Sequence, residues 1–509
     1  MSGHNNVNIV VEGCCHGEFS RIYDEIENRK MPCDLLIVCG DLQTFRNELD
    51  MKCTSIPPKY QQLGTFHEYY SGTRIAPFLT VVIGGNHESS NYLQELDYGG
   101  WLAPNIFYLG AAGVINFRHL RIAGISGIYK AHDYHKGHFE KMPYDNRMLK
   151  SAYHVRHFDM FRLAQIKGGI DIMISHDWPA GIEQHGNLEH LLKVKKHFKE
   201  DVRKGELGSK PGWDLLMEMK PKYWFSGHLH VRFDATISHE CPASTTNAFH
   251  YTKENNNKIN ENEIVLDINS CEEKCKTSKV NSNEIDLDID SDNNDTPVII
   301  SNSNEIDLTL AFDSEDSKPV ASGLTNKNEI DLDISDSDEE SNVTPTQSIV
   351  ELRNKSTGTR FLALDKCLPR RKFLEAISIP VPLDSSEPSR KSDKLYYDPE
   401  WLAITRVLNN YYSDQYRPTP LPTRPLEQVA LDTDIQKEKK WVEQNIVAKN
   451  LLEIPDNFVH TAPIVEDMTD RVKPDNYPLQ YDNPQTVEFC KLIKIQNKQK
   501  SKIKCNANK

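Results

Sequence analysis

The segment Val7–Glu18 has the sequence VNIVVEGCCHGE, and it decides how the first half of the chain is interpreted. Its apolar start ends at a glycine and is followed by Cys14, Cys15 and His16. This pattern is typical of a buried strand whose carboxyl end carries reactive side chains. The next segment, Gly17–Arg29, has the apolar spacing of a helix. The opening of the chain therefore predicts a β-α unit with polar chemistry at the strand end.

Similar apolar runs recur through the first 235 residues. Most are rich in Val and Ile and are bounded by Gly, Pro or Asn, as expected of buried strands. Segments with helical spacing, such as Asp214–Met219, lie between them. The further runs are Leu35–Cys39, Phe78–Ile83, Val114–Ile125, Ile170–Ile174 and Tyr223–Phe225. This alternation predicts an α/β fold.

The composition narrows the class of protein. The chain has 509 residues, enough for two or three domains, and 38% hydrophobic residues, which is low for one globule. Its 11 cysteines are scattered without pairable spacing, so we expect reduced thiols of the cytosol or nucleus. The start lacks the pattern of a secretory signal, and no apolar run approaches the length of a membrane span.

The acidity of the chain is concentrated in one segment. The whole chain has a net charge of −14, but residues 236–347 carry 25 Asp plus Glu against 7 Lys plus Arg, which leaves +4 for the rest. The segment repeats Asn-Glu-Ile, starting at Asn262, Asn283, Asn304 and Asn328. We interpret it as a disordered insert, because it has too few apolar residues for a solenoid. Its acidic-apolar repeats are either docking motifs for protein partners or a drifting low-complexity linker.

The insert need not interrupt the fold, because the entropy of loop closure grows slowly with loop length. We expect Val231–Ile237 and Arg360–Asp365 to pair as a hairpin across it, and Leu395–Leu408 to form a helix. The predicted divisions are a core at 7–235, the acidic insert at 236–347, a continuation of the core at 348–413, and a C-terminal region with a basic tail at 414–509.

Polar motifs stand at the carboxyl ends of the predicted strands. In an α/β sheet these ends converge on one crevice, so residues distant in sequence can meet there. The motifs are Cys14-Cys15-His16, Gly40-Asp41, Gly85-Asn86-His87-Glu88, Ser175-His176-Asp177 and Gly227-His228-Leu229-His230. Alone, each has a simpler explanation: a turn, a buried small cysteine or a core histidine. Together and in this order they favour a metal centre.

The residue types suit two metal ions. One carboxylate, Asp41, bridges both ions; Cys14, His16 and His230 complete one site, and Asn86, His176 and His228 the other. Cys15 is the rival ligand to Cys14, but adjacent side chains at a strand end point apart. Metals held ~3.5–4 Å apart clamp a phosphate and activate a shared water. His87 is then placed to protonate the departing oxygen as a general acid.

The ordered motifs resemble the metallophosphoesterase superfamily, with Cys14 where an Asp is usual. Within it, Glu12-Gly13-Cys14-Cys15-His16-Gly17, Tyr98-Gly99-Gly100-Trp101 and Ser175-His176-Asp177-Trp178-Pro179 resemble the RNA lariat debranching enzymes. The segments Pro57–Tyr60, Gly124–Lys130, Tyr223–Ser226, Phe361–Cys367 and Asn483–Thr486 extend the similarity. It covers nearly the whole chain apart from 236–347 and parts of the tail.

The resemblance implies a four-layer α/β/β/α sandwich that hydrolyses the 2′–5′ phosphodiester at the branch point of intron lariat RNA. The resemblance then implies branched RNA as the substrate, and we expect neither DNA nor a membrane as a partner. The expected location is the nucleus, with the cytoplasm as a second location. A thiolate ligand shifts metal preference towards Zn²⁺ or Fe²⁺ over Mg²⁺, with Mn²⁺ also compatible. The alternatives are a metallophosphoesterase for another phosphodiester or a phosphoprotein, and a catalytically silent scaffold.

The segment Ser126–His157 interleaves cations, histidines and aromatic residues. Cations suit phosphates and aromatic faces suit unstacked bases, and the segment resembles the lariat recognition loop of the family. The predicted substrate-binding residues are Tyr129, Lys130, His132, Tyr144, Arg156 and His157. The alternative is an ordinary solvated loop. Lys193, Lys195, Lys196 and Lys199 form a second basic cluster, which is predicted to be a solvated helix face, with an extension of an RNA track as the alternative.

Overall fold

The structure is a computed structural model, and it describes residues 4–239, 358–382, 393–468 and 476–498. All of these belong to one compact unit, Met1–Glu240 with Ser335–Lys509. The predicted acidic insert, apart from residues 236–239, lies outside the described residues, as does the end of the basic tail. In the described part of the chain, no helix is both long and apolar enough to cross a membrane.

The strands form two sheets. In chain order they are β1 (His4–Glu12), β2 (Leu35–Val38), β3 (Thr80–Val82), β4 (Gly100–Ala103), β5 (Ile106–Tyr108), β6 (Ala112–Phe117), β7 (Leu120–Ile125), β8 (Ile172–Ser175), β9 (Tyr223–Ser226), β10 (Phe233–Ser238), β11 (Gly358–Ala363), β12 (Leu374–Pro382) and β13 (Leu395–Tyr397). The first sheet has the order β12-β1-β2-β3-β5-β4, and the second β10-β11-β9-β8-β7-β6-β13. The central strands β1, β2, β3 and β5 run parallel, as do β7, β8, β9 and β11.

The α-helices lie mainly between the strands and after them. They are α1 (Phe19–Asn28), α2 (Phe66–Ser71), α3 (Ser90–Glu95), α4 (Ala131–Tyr134), α5 (Asn146–Ser151), α6 (His157–Ala164), α7 (Leu188–Val194), α8 (Phe198–Lys204), α9 (Lys210–Met219), α10 (Pro399–Leu408), α11 (Pro425–Asn445) and α12 (Pro484–Leu492). Short 3₁₀ turns occur at Asp50–Cys53, Pro58–Tyr60, Ile182–His185, Asn409–Tyr411, Val447–Lys449 and Val465–Met468.

Alternation along the strands explains the layers. In β1, Ile9 and Val11 are buried in a core shared with Ile122 and Ile174 of the second sheet, whereas Val10 is buried with residues of α1, α2 and α3. On the far side of the second sheet, Met173 packs with residues of α6, α9 and α10. Successive side chains of a strand point to opposite faces, so each sheet is apolar on both. The predicted four-layer α/β/β/α sandwich is confirmed.

The segments after the insert complete both sheets. β11 inserts between β9 and β10, pairing parallel to the first and antiparallel to the second. β12 pairs antiparallel with the whole of β1. The predicted pairing of Val231–Ile237 with Arg360–Asp365 is confirmed from Phe233 onwards. Because β10 extends to Ser238, the core strand passes the predicted division at residue 235.

Two expectations about elements were wrong in detail. The run Val114–Ile125 forms two antiparallel strands, β6 and β7, joined by a tight turn at Arg118, which has φ +50°. The segment Leu395–Leu408 is not one helix, because its first three residues form β13 and pair with β6. The helix begins only at Pro399, where Asp398 accepts a hydrogen bond from the Trp401 N–H as its N-cap.

Candidate metal centre and substrate face

The predicted ligands lie where the parallel strands end. Cys14 and His16 follow β1, Asp41 follows β2, and Asn86 follows β3 of the first sheet. The remaining ligands follow β8 and β9 of the second sheet. Since the sheets pack face to face with these strand ends together, the loops of both sheets meet in one crevice.

Four of the predicted ligands form a tight group. Donor atoms of Cys14, His16, Asp41 and His230 all lie within 4.8 Å of one another. The Nε2 atoms of His16 and His230 face each other at 3.0 Å, and His16 Nε2 lies 3.6 Å from Asp41 Oδ2. A thiol, two imidazoles and a carboxylate are a donor set suited to a transition-metal ion or Zn²⁺.

His176 lies at the second oxygen of the same carboxylate, and the other two predicted ligands, Asn86 and His228, lie beside His176. His176 Nε2 lies 3.3 Å from Asp41 Oδ1 and 3.1 Å from Asn86 Oδ1. The ring of His228 lies 5.0 Å from that of His176, centroid to centroid. His176 Nδ1 donates to the Cys39 carbonyl at 2.6 Å, which leaves Nε2 free to bind a cation. Asp41 thus stands between two donor groups, one on each oxygen.

Several of the predicted ligands have a left-handed backbone conformation, which sets the direction of their side chains. His16, Asp41, His228 and His230 have φ of +48°, +53°, +65° and +49°. Such angles cost free energy in residues other than glycine and persist where the surroundings hold them. Four strained residues among seven predicted ligands mark the crevice as a functional site.

Backbone N–H groups hold the Asp41 carboxylate in place. The N–H groups of Asn86 and His87 both donate to Asp41 Oδ1 at 2.9 Å. Gly85 makes this approach possible, because a Cβ there would lie 2.3 Å from Asp41 Oδ1. Glu88, which is buried, accepts hydrogen bonds from the N–H groups of Leu42 and Gly85. Glu88 therefore ties the loops after β2 and β3 together.

The protonation of the ligands also suits cations. Burial lowers the pKa of His16 to about 4 and that of His228 to about 3, so both imidazoles are neutral and able to bind metal. Burial opposes ionisation of Asp41, but His176 and His87 outweigh it and hold the pKa of this carboxyl well below its usual value. Burial and Asp41 raise the pKa of Cys14, a preference that a neighbouring cation reverses.

Cys14 is held by the chain that follows the insert. Cys14 bridges to Lys366 in a parallel sense, and its carbonyl accepts from the Cys367 N–H at 3.0 Å. Its Sγ accepts from the His228 N–H at 2.9 Å. A Cβ on Gly227 would lie 2.9 Å from the same sulfur. The rival residue, Cys15, is fully buried and packs with α1 and α2 instead.

His87 lies beside the ligands without joining either group. Its ring centroid is 5.6 Å from that of His16. Its Nδ1 is buried with no hydrogen-bond partner among the described residues, and the residue as a whole is partly exposed. A partly exposed imidazole at the edge of the crevice has the position expected of a proton donor.

Four of the six predicted substrate-binding residues are accessible. His132 is exposed, and Tyr129, Lys130 and His157 are partly exposed. The Tyr129 N–H donates to the Asp177 carboxylate at 3.2 Å, which links the loop to the residue after His176. The predicted recognition loop therefore borders the metal ligands.

The other two predicted substrate-binding residues are buried, which corrects their assignment. Tyr144 packs against Cys53 and Met142, and its hydroxyl donates to Gln94 Oε1 at 2.6 Å. Arg156 is 0% exposed, and its guanidinium pairs with Glu140 at 2.5 Å. Neither side chain can reach RNA from these positions.

Sequence reasoning missed the supporting residues. Glu88 was visible only as the end of a Gly-Asn-His-Glu motif, and nothing in its spacing indicated that it joins two loops. Lys366 lies in a conspicuous segment, Leu364-Asp365-Lys366-Cys367, but its contact with Cys14 depends on a strand pairing across the insert.

Comparisons with known proteins agree with this geometry. Residues 7–232 match the calcineurin-like phosphoesterase family, and residues 356–498 match the lariat debranching enzyme C-terminal domain. The lariat debranching enzyme of Schizosaccharomyces pombe is 40% identical over 490 residues, which cover 96% of each chain. Those of Drosophila melanogaster and Homo sapiens are 40% and 36% identical, over 96% of this chain and 77% and 69% of theirs.

Membership of a calcineurin-like phosphoesterase family implies a divalent metal centre, and the grouped Cys, His and Asp side chains fit one. The family match, the two-sheet fold and the grouped ligands all support the same family. The chain belongs to the lariat debranching enzyme family.

Proposed function

We propose that this protein hydrolyses the 2′–5′ phosphodiester bond at the branch point of intron lariat RNA. The observation that supports this most is the convergence of Cys14, His16, Asp41 and His230 beside a loop rich in cations and aromatic residues. The relatives that match over nearly the whole chain are lariat debranching enzymes.

We assign the centre two divalent ions, with Fe²⁺, Zn²⁺ or Mn²⁺ as the candidates. Cys14, His16 and His230 would hold one, Asn86, His176 and His228 the other, and Asp41 both. When bound, the ions would supply Lewis acidity and a nucleophile from water at neutral pH. The Cys14 sulfur favours softer ions than Mg²⁺.

The protein's own residues position the phosphate and move one proton. The backbone N–H groups of Asn86 and His87 orient Asp41, so the carboxylate keeps one oxygen towards each donor group. As water adds to phosphorus, the bond to the departing ribose oxygen breaks. His87, as general acid, donates a proton to that oxygen.

Branch recognition is assigned to the accessible part of the recognition loop. Lys130 offers a cation for a phosphate, and Tyr129, His132 and His157 offer ring faces for unstacked bases. Lys130 follows Tyr129, whose N–H donates to Asp177 next to His176, so this cation lies beside the predicted ligands.

A comparison of substrates tests the function. The protein is incubated with branched RNA, linear 3′–5′ RNA and p-nitrophenyl phosphate, each with Mn²⁺, Fe²⁺ or Zn²⁺. We expect efficient cleavage of the branched RNA and little or no cleavage of the other two substrates. Equal turnover of linear and branched RNA would favour a general phosphodiesterase.

His87→Ala is the mechanistic test. We expect it to bind metal and branched RNA but to cleave ~10²–10⁴-fold more slowly, the usual loss for a general acid. His190→Ala, at an exposed position of α7, is the matched control and should cleave at the wild-type rate. A wild-type rate for His87→Ala would remove His87 from the mechanism.

The remaining assignments follow from the substrate. Introns are excised in the nucleus, so we propose a nuclear location, which imaging of the tagged full chain would test. We also propose that the acidic repeats of residues 236–347 bind protein partners, because their alternation of acidic and apolar residues suits addition to a sheet edge.

A further inference from the structure

A basic turn lies beside Cys14, in one half of the metal centre, whereas the recognition loop contacts Asp177, next to His176 in the other half. The turn joins β11 to β12, and residues 366–372 contain four Lys or Arg. The parallel bridge between Lys366 and Cys14 places the start of this turn directly beside a predicted ligand. The turn is therefore fixed relative to the reacting phosphate.

Lys366 presents a charge to the centre. It is partly exposed, and the bridge to Cys14 places it next to the group of donors that contains His16 and His230. Among the described residues, no carboxylate lies within ion-pair distance of its ammonium group. Asp365 interacts electrostatically with Lys366 but is shared with Arg371 and Lys195. A cation that no described carboxylate pairs at close range, beside an anion-binding crevice, can receive an anion from outside.

Lys195, between α7 and α8, adds a second cation. It is half-buried and interacts electrostatically with Asp365, Lys366 and Cys14. In the described ranges no acidic oxygen lies within 4 Å of its ammonium group. Asp365 instead lies 3.6 Å from Arg371. Asp365 acts on the half-buried Lys195 only at longer range and is shared with Arg371, so a phosphate would supply the close negative partner that Lys195 lacks among the described residues.

Lys195, Lys366, Arg370 and Arg371 together form what we call the basic shelf. The shelf begins at Lys366, which bridges to Cys14 in the half of the centre that contains His16 and His230, whereas the recognition loop donates from the Tyr129 N–H to Asp177, which follows His176 of the other half. A branch nucleotide carries three RNA arms, which leave it in different directions. A loop on one side of the centre cannot hold them all.

We propose that the basic shelf binds the backbone phosphates of the RNA arm that leaves the branch on the side opposite the recognition loop. This inference rests on the proposed debranching function and deepens it: cations on both sides of the centre would select a branched substrate over a linear one. It favours the alternative that the second lysine cluster extends an RNA track through Lys195, which is less exposed than Val194 and Lys196.

The test compares Lys195→Gln/Lys366→Gln with a matched control, Lys193→Gln/Lys199→Gln. The control removes two exposed lysines from the same pair of helices, and one of them pairs with Glu189. Binding of a 2′–5′ branched RNA with arms of about ten nucleotides is measured by fluorescence anisotropy across a salt titration. Cleavage of the same RNA by the wild-type protein is measured in parallel, so a failure of the debranching function is seen separately.

We expect the double variant to lose about 1.4 from the slope of log affinity against log salt, since each phosphate contact to single-stranded RNA contributes about 0.7. Between 50 and 200 mM salt, its affinity should therefore fall about sevenfold less than that of the wild type. The advantage in KM that long arms give over single-nucleotide arms should also shrink. The control should match the wild type.

Two results would overturn the proposal. One is a salt slope for Lys195→Gln/Lys366→Gln equal to that of the wild type. The other is a weaker affinity that accompanies a loss of bound metal, measured by elemental analysis, because the substitutions would then act by displacing Cys14 rather than by removing phosphate contacts.

Discussion

Replacing Arg156 should destabilise the protein without removing an RNA contact. The guanidinium and the Glu140 carboxylate are both 0% exposed, and the same guanidinium donates to the carbonyls of Asp133 and Ser151 at 2.9 Å. It therefore joins three parts of the recognition loop. In Arg156→Met, Glu140 remains buried, and among the described residues only the Ser151 hydroxyl still donates to it.

The structure sets the size of the effect. Removing one partner of a buried ion pair costs about 3–5 kcal/mol. The pair is incompletely satisfied already, because Arg156 Nε and Glu140 Oε2 have no hydrogen-bond partner among the described residues. We therefore expect Arg156→Met to lose about 3 kcal/mol of unfolding free energy, at the lower end of this range.

Urea unfolding followed by circular dichroism measures this loss. Arg147→Met, at an exposed position of the same loop, is the control and should change stability by less than about 0.5 kcal/mol. The double variant Arg156→Met/Glu140→Met also removes the unpaired buried carboxylate, so it should recover part of the lost unfolding free energy. If Arg156→Met unfolds like the wild type but binds branched RNA more weakly, the structural role is refuted and the role predicted from sequence is restored.

Three further results are expected. Cys14→Asp should shift metal preference towards Mg²⁺ and Mn²⁺ in elemental analysis and activity assays, and an unchanged profile would exclude its sulfur as a ligand. Gly85→Ala should weaken metal affinity about 10–100-fold because the new Cβ displaces Asp41, whereas Gly72→Ala, which faces open space, should not. Burial opposes ionisation of Asp159, but His138 and Arg162 outweigh it and lower the pKa of this carboxyl from 3.8 to about 2. The contribution of the ionised carboxylate to the free energy of unfolding is therefore present above about pH 4 and is lost as the pH falls towards 2. Asp159→Asn should therefore remove about 2 kcal/mol of acid-sensitive stability, seen as a flatter dependence of unfolding free energy on pH.

The metal centre was the most predictable part of the molecule. Its residues follow strands, and the carboxyl ends of parallel strands converge whatever their separation in sequence. The burial of β2 on both faces likewise follows from its Leu, Ile and Val content. These features depend on local pattern and one topological rule.

Buried cations were not predictable from the same pattern. Arg156 and Lys130 are both basic residues of one aromatic-rich loop, yet one pairs with Glu140 sixteen positions away and the other is partly exposed. Composition does not distinguish them, because the difference depends on a tertiary contact. The sequence grouped Lys195 with exposed lysines, and the contact of Lys366 with Cys14 depends on a strand pairing across the insert.

The bracing of Cys14 by Lys366 and Cys367 has a consequence for biosynthesis. The first 239 residues contain every predicted ligand, but β1 lacks its neighbour β12, and Cys14 lacks its brace, until the ribosome has made residues 358–382. At about 5–20 residues per second, translation of residues 240–357 imposes a delay of several seconds or more. During that interval the nascent chain exposes an unfinished sheet edge and an incompletely held thiol, so maturation of the enzyme should be most vulnerable to oxidation and misassembly before the second half of the chain has emerged.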